Sequence, residues 1–170
     1  MKSLKTFEEF TRDGVIRRIA SNRARAESLA GESARKMRSL KQRIEKLGVD
    51  DDNANDYVEY CYDIIMHMVR AIMLIDGFYA TGPGAHEAEV SYLTTLEYTG
   101  TDVAFADQLR YFRNGILYYG TSLDAEYAEK VIAFTNRMYP RLQDAVQLQP
   151  QRRLSCERSD KYITNTIYKQ

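Results

Sequence analysis

The stretch that most constrains the fold is residues 56–76, DYVEYCYDIIMHMVRAIMLID. Tyr57, Cys61, Ile64, Met68, Ile72 and Ile75 recur at steps of three and four, the spacing of one helical face. Ile65, Met66, Val69 and Met73 populate the opposite face. A helix apolar around its whole circumference has to be covered on more than one side. It is expected either at the centre of a bundle or with its second face buried in a dimer. Asp56, followed by Glu59, is the expected N-cap, and Gly77 the expected stop.

The neighbouring segments supply the helices such a bundle needs. Over residues 21–47, Ala26, Ala30, Ala34, Met37, Leu40, Ile44 and Leu47 form an apolar stripe between basic residues, and Gly48 ends it. A shorter helix is expected over 85–98, closed by Gly100. Thr101 or Asp102 should cap the next, through Tyr119, with Val103, Ala106, Leu109, Ile116 and Leu117 inward and Gly120 as stop. Residues 121–124, TSLD, read as a capping box for a last helix carrying Ala128, Ile132, Thr135, Tyr139, Leu142 and Val146. Pro140 falls inside that pattern and should kink or split the helix. From residue 147 the periodicity disappears, so a short flexible C-terminal tail is expected, with YITNTIY (162–168) as a short strand. The fold class is therefore all-α, an antiparallel bundle of about four or five helices with short connections.

Composition narrows the function classes. The 170 residues suit one domain, and 9 glycines and 3 prolines leave little room for a turn-rich β fold. No apolar run approaches the ~20 residues that span a bilayer, and the N-terminal MKSLKTFEEFTRDG lacks the apolar core of a secretory signal. Two cysteines, Cys61 and Cys156, make no disulfide or metal framework, and Cys61 is expected as a small core residue in a cytoplasmic protein. The net charge of zero hides segregation. Residues 1–48 carry 13 Lys/Arg against 6 Asp/Glu, whereas residues 49–107 carry 12 acids and a single base, Arg70. Such a distribution suits an anion-binding region, or simply a basic segment packed beside an acidic one.

Most catalytic signatures are missing. The chain has no phosphate-cradling glycine loop, and its two histidines, His67 and His86, are too few for a histidine metal site. His67 is expected as a satisfied core histidine and His86 as a cap or packing residue. The loop with Asp50, Asp51, Asp52, Asn53 and Asn55 lacks the glycine and closing glutamate of a calcium loop and is expected to be solvated. One polar ridge stands out, in LRYFRNGILYYG (109–120). Arg110, Arg113 or Asn114, and Leu117 or Tyr118 lie a turn apart on one helix. Arginine offers a forked cation suited to phosphate, and tyrosine offers a stacking face. The plainer reading is an arginine paired with an acid and tyrosines packed at an interface.

This ridge resembles the HEPN domain, a family of small all-helical bundles. There the last core helix carries Arg, often followed directly by Asn, and a His a few residues on. RNGILY (113–118) has that register with Tyr118 in the histidine position. AIMLIDGFYATGPGAHEAEVSYL, AEYAEKVIAFTNRMYPRL and DGVIRRIASNRARAESL resemble other parts of the family pattern, so that the likeness covers about residues 13–146. It implies a single HEPN-like domain over 1–146. It also implies an RNA- or nucleotide-binding homodimer, with a minimal nucleotidyltransferase as a further partner in a toxin–antitoxin type of system. Arg113, Asn114 and Tyr118 become the candidate catalytic residues, and Arg110, Tyr119 and His86 the candidate ligand-binding residues. No metal, cofactor or membrane is expected. The tyrosine matters, because a phenol with pKa ~10 would need a shift of ~3 units, or ~4 kcal/mol, to act as a base near neutrality. Weak or absent ribonuclease activity follows; the alternatives are a protein-interaction bundle with a structural Arg113, and an active metal-independent endoribonuclease using Tyr118 or His86.

Overall fold

The computed structural model describes the backbone of residues 4–164 and the side chains of residues 4–147. Six α-helices dominate it: α1 (Phe7–Arg12), α2 (Arg23–Leu47), α3 (Ala54–Asp76), α4 (Ala85–Ser91), α5 (Gly100–Tyr119) and α6 (Ala125–Thr164). A 3-10 turn, Tyr92–Leu96, extends α4. Two three-residue strands, β1 (Ile16–Arg18) and β2 (Phe78–Ala80), pair antiparallel with Ile16 opposite Ala80 and Arg18 opposite Phe78. The fold is an all-helical bundle with this one small ribbon at its edge.

α3 is the central element, as its circumference requires. Fifteen of its 23 residues are buried, including Val58, Cys61, Ile64, Val69 and Ile72 at 0% exposure. Full burial of side chains this size contributes about 1.5–3 kcal/mol each before the entropy of ordering the chain. α2 runs antiparallel along α3: the Ser33 hydroxyl donates to the Ile64 carbonyl at 2.7 Å and Lys36 pairs with Asp63 at 2.5 Å. α6 covers another side with Ala128, Val131, Phe134, Met138 and Leu142. α5 and α6 form a second antiparallel pair, marked by Asp102–Arg137 (2.7 Å), Phe105–Phe134 (4.5 Å between centroids) and Phe112–Tyr127 (4.9 Å). α3 is thus covered on several sides within one protomer.

Several boundaries differ from expectation for local reasons. α3 starts after Asn53, whose backbone is in the cap position, and Asp56 lies in the first turn instead of capping it. Gly100 does not close a helix but begins α5, whose cap is Thr99, with its hydroxyl accepting from the Asp102 amide. The helix expected over 85–98 ends as a helix at Ser91 and tightens into the 3-10 turn. Leu117, expected inward, is 46% exposed. α6 is not split at Pro140 but runs through it, and it continues through residues 147–164 where a tail was expected. Loss of apolar periodicity argues against packing, not against helix, and QLQPQRRLSCERSDK is rich in straight-chain helix formers. Tyr162–Thr164 are helical, not strand; the remainder of that expected strand lies outside the described residues.

The acidic loop has a structural task that its sequence did not announce. Asp50 and Asn53 cap each other's backbone amides at 2.9 and 3.1 Å. Asp51 accepts from the Ala125 amide at 2.8 Å, capping α6 across the fold. Asn55 donates to the Thr121 carbonyl and accepts from the Leu123 amide, both at 3.0 Å. This loop therefore clamps the α5–α6 connection and fixes where α5 ends. On the other side of that connection, a Cβ on Gly115 would come within 3.0 Å of Thr121 Oγ1, so the linker lies directly against α5.

Candidate functional site

The C-terminal half of α5 carries most of the candidate residues, and the helix geometry divides them. Arg113 and Tyr118 are five residues apart, which at ~100° per residue separates them by ~140° around the axis. Arg113 turns toward α3, its guanidinium carbon 5.2 Å from the centre of the Tyr62 ring. Tyr118 is 73% exposed and lines an open groove of about 580 Å³ with Tyr111, Asn114, Gly115 and Tyr119. Asn114 and Tyr118 thus share a face, while Arg113 does not join them within one protomer.

Arg113 has an unusual electrostatic position. Its Nε is buried without a hydrogen-bond acceptor, and no carboxylate lies within ion-pairing distance of it among the described residues. Its neighbour one turn earlier, Arg110, is the opposite case. Arg110 is held by Asp107 at 2.7 Å and by Glu87 at 3.2 Å, and its side chain is largely buried. Arg110 is therefore spent on joining α5 to α4. The Tyr62 hydroxyl beneath Arg113 is also buried without a partner, and burial, reinforced by the nearby Glu89 charge, pushes its pKa up to about 12. Tyr62 is accordingly a neutral stacking surface rather than a base.

His86 belongs to a cluster on the other side of Tyr62, its ring 6.5 Å away. Arg70 on α3 grips Glu89 on α4 through Nε (2.7 Å) and Nη2 (2.8 Å). His86 Nδ1 lies between them, 3.1 Å from Arg70 Nη2 and 3.2 Å from Glu89 Oε2. It can accept from the arginine when bare or donate to the carboxylate when protonated. Burial pushes the Glu89 carboxyl up, but hydrogen bonds from His86 and Arg70 and the arginine's charge outweigh it and hold the pKa below the ordinary value. A single acid and its two basic partners thus bridge α3 to α4.

His67 is not the satisfied core histidine its sequence context suggested. It is half-buried, and its Nδ1 has no hydrogen-bond partner among the described residues. Burial lowers its pKa, so the ring is neutral at physiological pH. Cys61 is a buried thiol, pushed up to about 12 by burial. Among the described residues no three His, Cys, Asp or Glu side chains come together as metal ligands. No described helix is long and apolar enough to cross a membrane.

Of the six candidates, Arg110, Arg113 and His86 gather around Tyr62, whereas Asn114, Tyr118 and Tyr119 face the groove on the far side of α5. Sequence reasoning missed Tyr62, Arg70 and Glu89. The lone base among 12 acids in residues 49–107 was the signal that Arg70 would be claimed by a carboxylate. The fold and this site define an all-helical bundle with an acid-free arginine beside an aromatic face. No protein-family model, no curated protein and no solved structure matches the chain.

Proposed function

We propose that the chain is a HEPN-type protein that binds RNA or a nucleotide as a homodimer, with weak or no ribonuclease activity. The observation that carries this reading is Arg113, an arginine without a carboxylate partner among the described residues, on the same half-helix as the exposed Tyr111, Leu117, Tyr118 and Tyr119. An arginine that is not neutralised by an acid is available to a phosphate, and exposed aromatic rings offer stacking faces to bases. An exposed apolar patch of this kind also suits contact with a second copy of the helix. The absent imidazole argues for binding over cleavage, because a phenol is a poor base near neutral pH.

The test joins sedimentation velocity with fluorescence anisotropy on a labelled single-stranded RNA. Binding by a species of twice the 19.7 kDa chain mass, weakened about tenfold by Arg113→Ala, is the expected result. Affinity unchanged in Arg113→Ala would refute the phosphate role. A second reading, a protein-interaction bundle with a structural Arg113, is favoured by the stacking of that guanidinium on Tyr62. It predicts that Arg113→Ala loses stability and that the wild-type protein binds no RNA. The minimal nucleotidyltransferase is the partner to try by co-expression in either case.

A further inference from the structure

A separate cleft of about 440 Å³ opens between α2, α3, β2 and the start of α4, and shares no lining residue with the groove on α5. Its size falls in the ~300–1,000 Å³ range of small-molecule sites. One wall is apolar, formed by Leu29, Met73, Leu74 and Phe78. The other is polar, formed by Arg25, His67, Arg70, His86 and Glu89.

Charge accounting on the polar wall identifies the ligand chemistry. Arg70 and Glu89 neutralise each other through their two-point contact. Arg25 has no carboxylate partner among the described residues; its guanidinium lies 5.6 Å from the centre of the Tyr79 ring at the mouth of the cleft. One positive charge is therefore left uncompensated. His67 adds a buried ring nitrogen whose hydrogen bond is unmade, and buried polar atoms without partners are rare in folded proteins. The cleft thus offers an apolar bed, one positive charge at its mouth and, in His67, a lining ring that makes no hydrogen bond among the described residues.

We propose that this cleft binds a small organic oxyanion, a carboxylate or phosphate carried on an apolar body. The apolar body lies against Phe78, Met73 and Leu74, Arg25 holds the oxyanion, and His67 makes the orienting hydrogen bond. The Arg70–Glu89–His86 cluster keeps α3 and α4 at the spacing that leaves the cleft open.

The experiment is isothermal titration of the full chain with 2-naphthoate, 2-naphthyl phosphate and the neutral 2-naphthalenemethanol, with the methyl resonance of Met73 followed by NMR. Saturable binding of either anion, about tenfold or more tighter than the alcohol, is expected. The Met73 resonance should move with the same saturation curve, and the better-bound anion shows whether a carboxylate or a phosphate is the natural group. Arg25→Ala, at an exposed position on α2, with folding checked by its thermal unfolding, should remove the preference for the anion and leave the weak affinity for the alcohol. His67→Gln, which retains a hydrogen-bonding group, should weaken the anion less than Arg25→Ala does. Absence of saturable anion binding at millimolar concentrations overturns the proposal. So does equal affinity for anion and alcohol, or an anion affinity unchanged in Arg25→Ala.

Discussion

α3 and α5 lie side by side in one bundle, yet they are built to different plans. α3 is buried along its length, with 15 of 23 residues inside. α5 has 5 of 20 inside, Asp102, Val103, Ala106, Asp107 and Leu109, all in its first half. Even the acids there are tied down, Asp102 by Arg137 and Asp107 by Arg110. Beyond Arg110 the helix continues with Tyr111, Leu117, Tyr118 and Tyr119 exposed and with Arg113 lacking an acid among the described residues. The first half of α5 buries its side chains, whereas the second half packs Phe112 and Ile116 and leaves apolar and aromatic side chains exposed.

Substitutions on the two halves should separate most clearly at Leu109. Leu109→Ala empties a site 1% exposed and should cost about 3 kcal/mol in urea unfolding, within the range for buried leucines. A cost near zero would mean that the first half of α5 is not core. Gly77→Ala at the end of α3 should follow at about 2 kcal/mol, because φ is +80° there. A Cβ would also stand 2.9 Å from the Ile19 carbonyl oxygen. Stability equal to wild type would show that the chain from α3 into β2 can shift freely. Asn55→Ala removes two hydrogen bonds that hold the α5–α6 connection and should cost about 1–2 kcal/mol, most visibly as faster amide exchange over residues 119–124. Unchanged exchange there would contradict the clamp.

The acid dependence of stability should come in part from the α3–α4 side and in part from Asp102, where burial pushes the carboxyl up but Thr99 and Arg137 hold its pKa below the ordinary value. Glu89 has its folded pKa below the ordinary 4.5, so its contribution is full above 4.5 and is lost as pH falls through the folded value. His67 has its folded pKa below 6.5, so in the window beneath 6.5 the unfolded chain takes up a proton that the folded one resists. Both act in the same direction, and stability should fall in two stages as pH is lowered. His67→Gln should flatten the upper stage and Glu89→Gln the lower, and titration curves unaltered by either change would refute the assignment. The smallest effect belongs to Leu117→Ala, with stability within about 0.5 kcal/mol of wild type. That variant should nonetheless weaken self-association; a dimer of undiminished strength would move the interface elsewhere.

The helices were legible in the sequence because their causes are local. Steps of three and four placed the stripes on α2, α3 and α6, except for Leu47, which is 64% exposed at the end of α2, and Gly48, Gly77 and Gly120 end their helices as expected. α1 was equally open to reading, since Thr6 and Glu9 form a capping box visible as TFEE. β1 and β2 were not, because three residues in each strand carry no period and their partners lie about sixty positions apart. The candidate site was half legible. The sequence marked Arg110 and Arg113 as a pair of cations on one ridge. It could not show that Arg110 meets Asp107 and Glu87, while Arg113 meets an aromatic ring and no acid among the described residues.

By itself, then, the sequence determined that α2, α3, α5 and the first part of α6 are helical and where three of the helices stop, all consequences of side-chain spacing and backbone freedom within a few residues. Tertiary structure alone decided which charges are neutralised. It gave Asp51 and Asn55 to the α5–α6 connection, Glu89 to Arg70 and, among the described residues, no acid to Arg113 or Arg25. A charge is silenced by whatever lies within a few ångströms of it, and that neighbour is set by helix packing across the fold, not by adjacency along the chain.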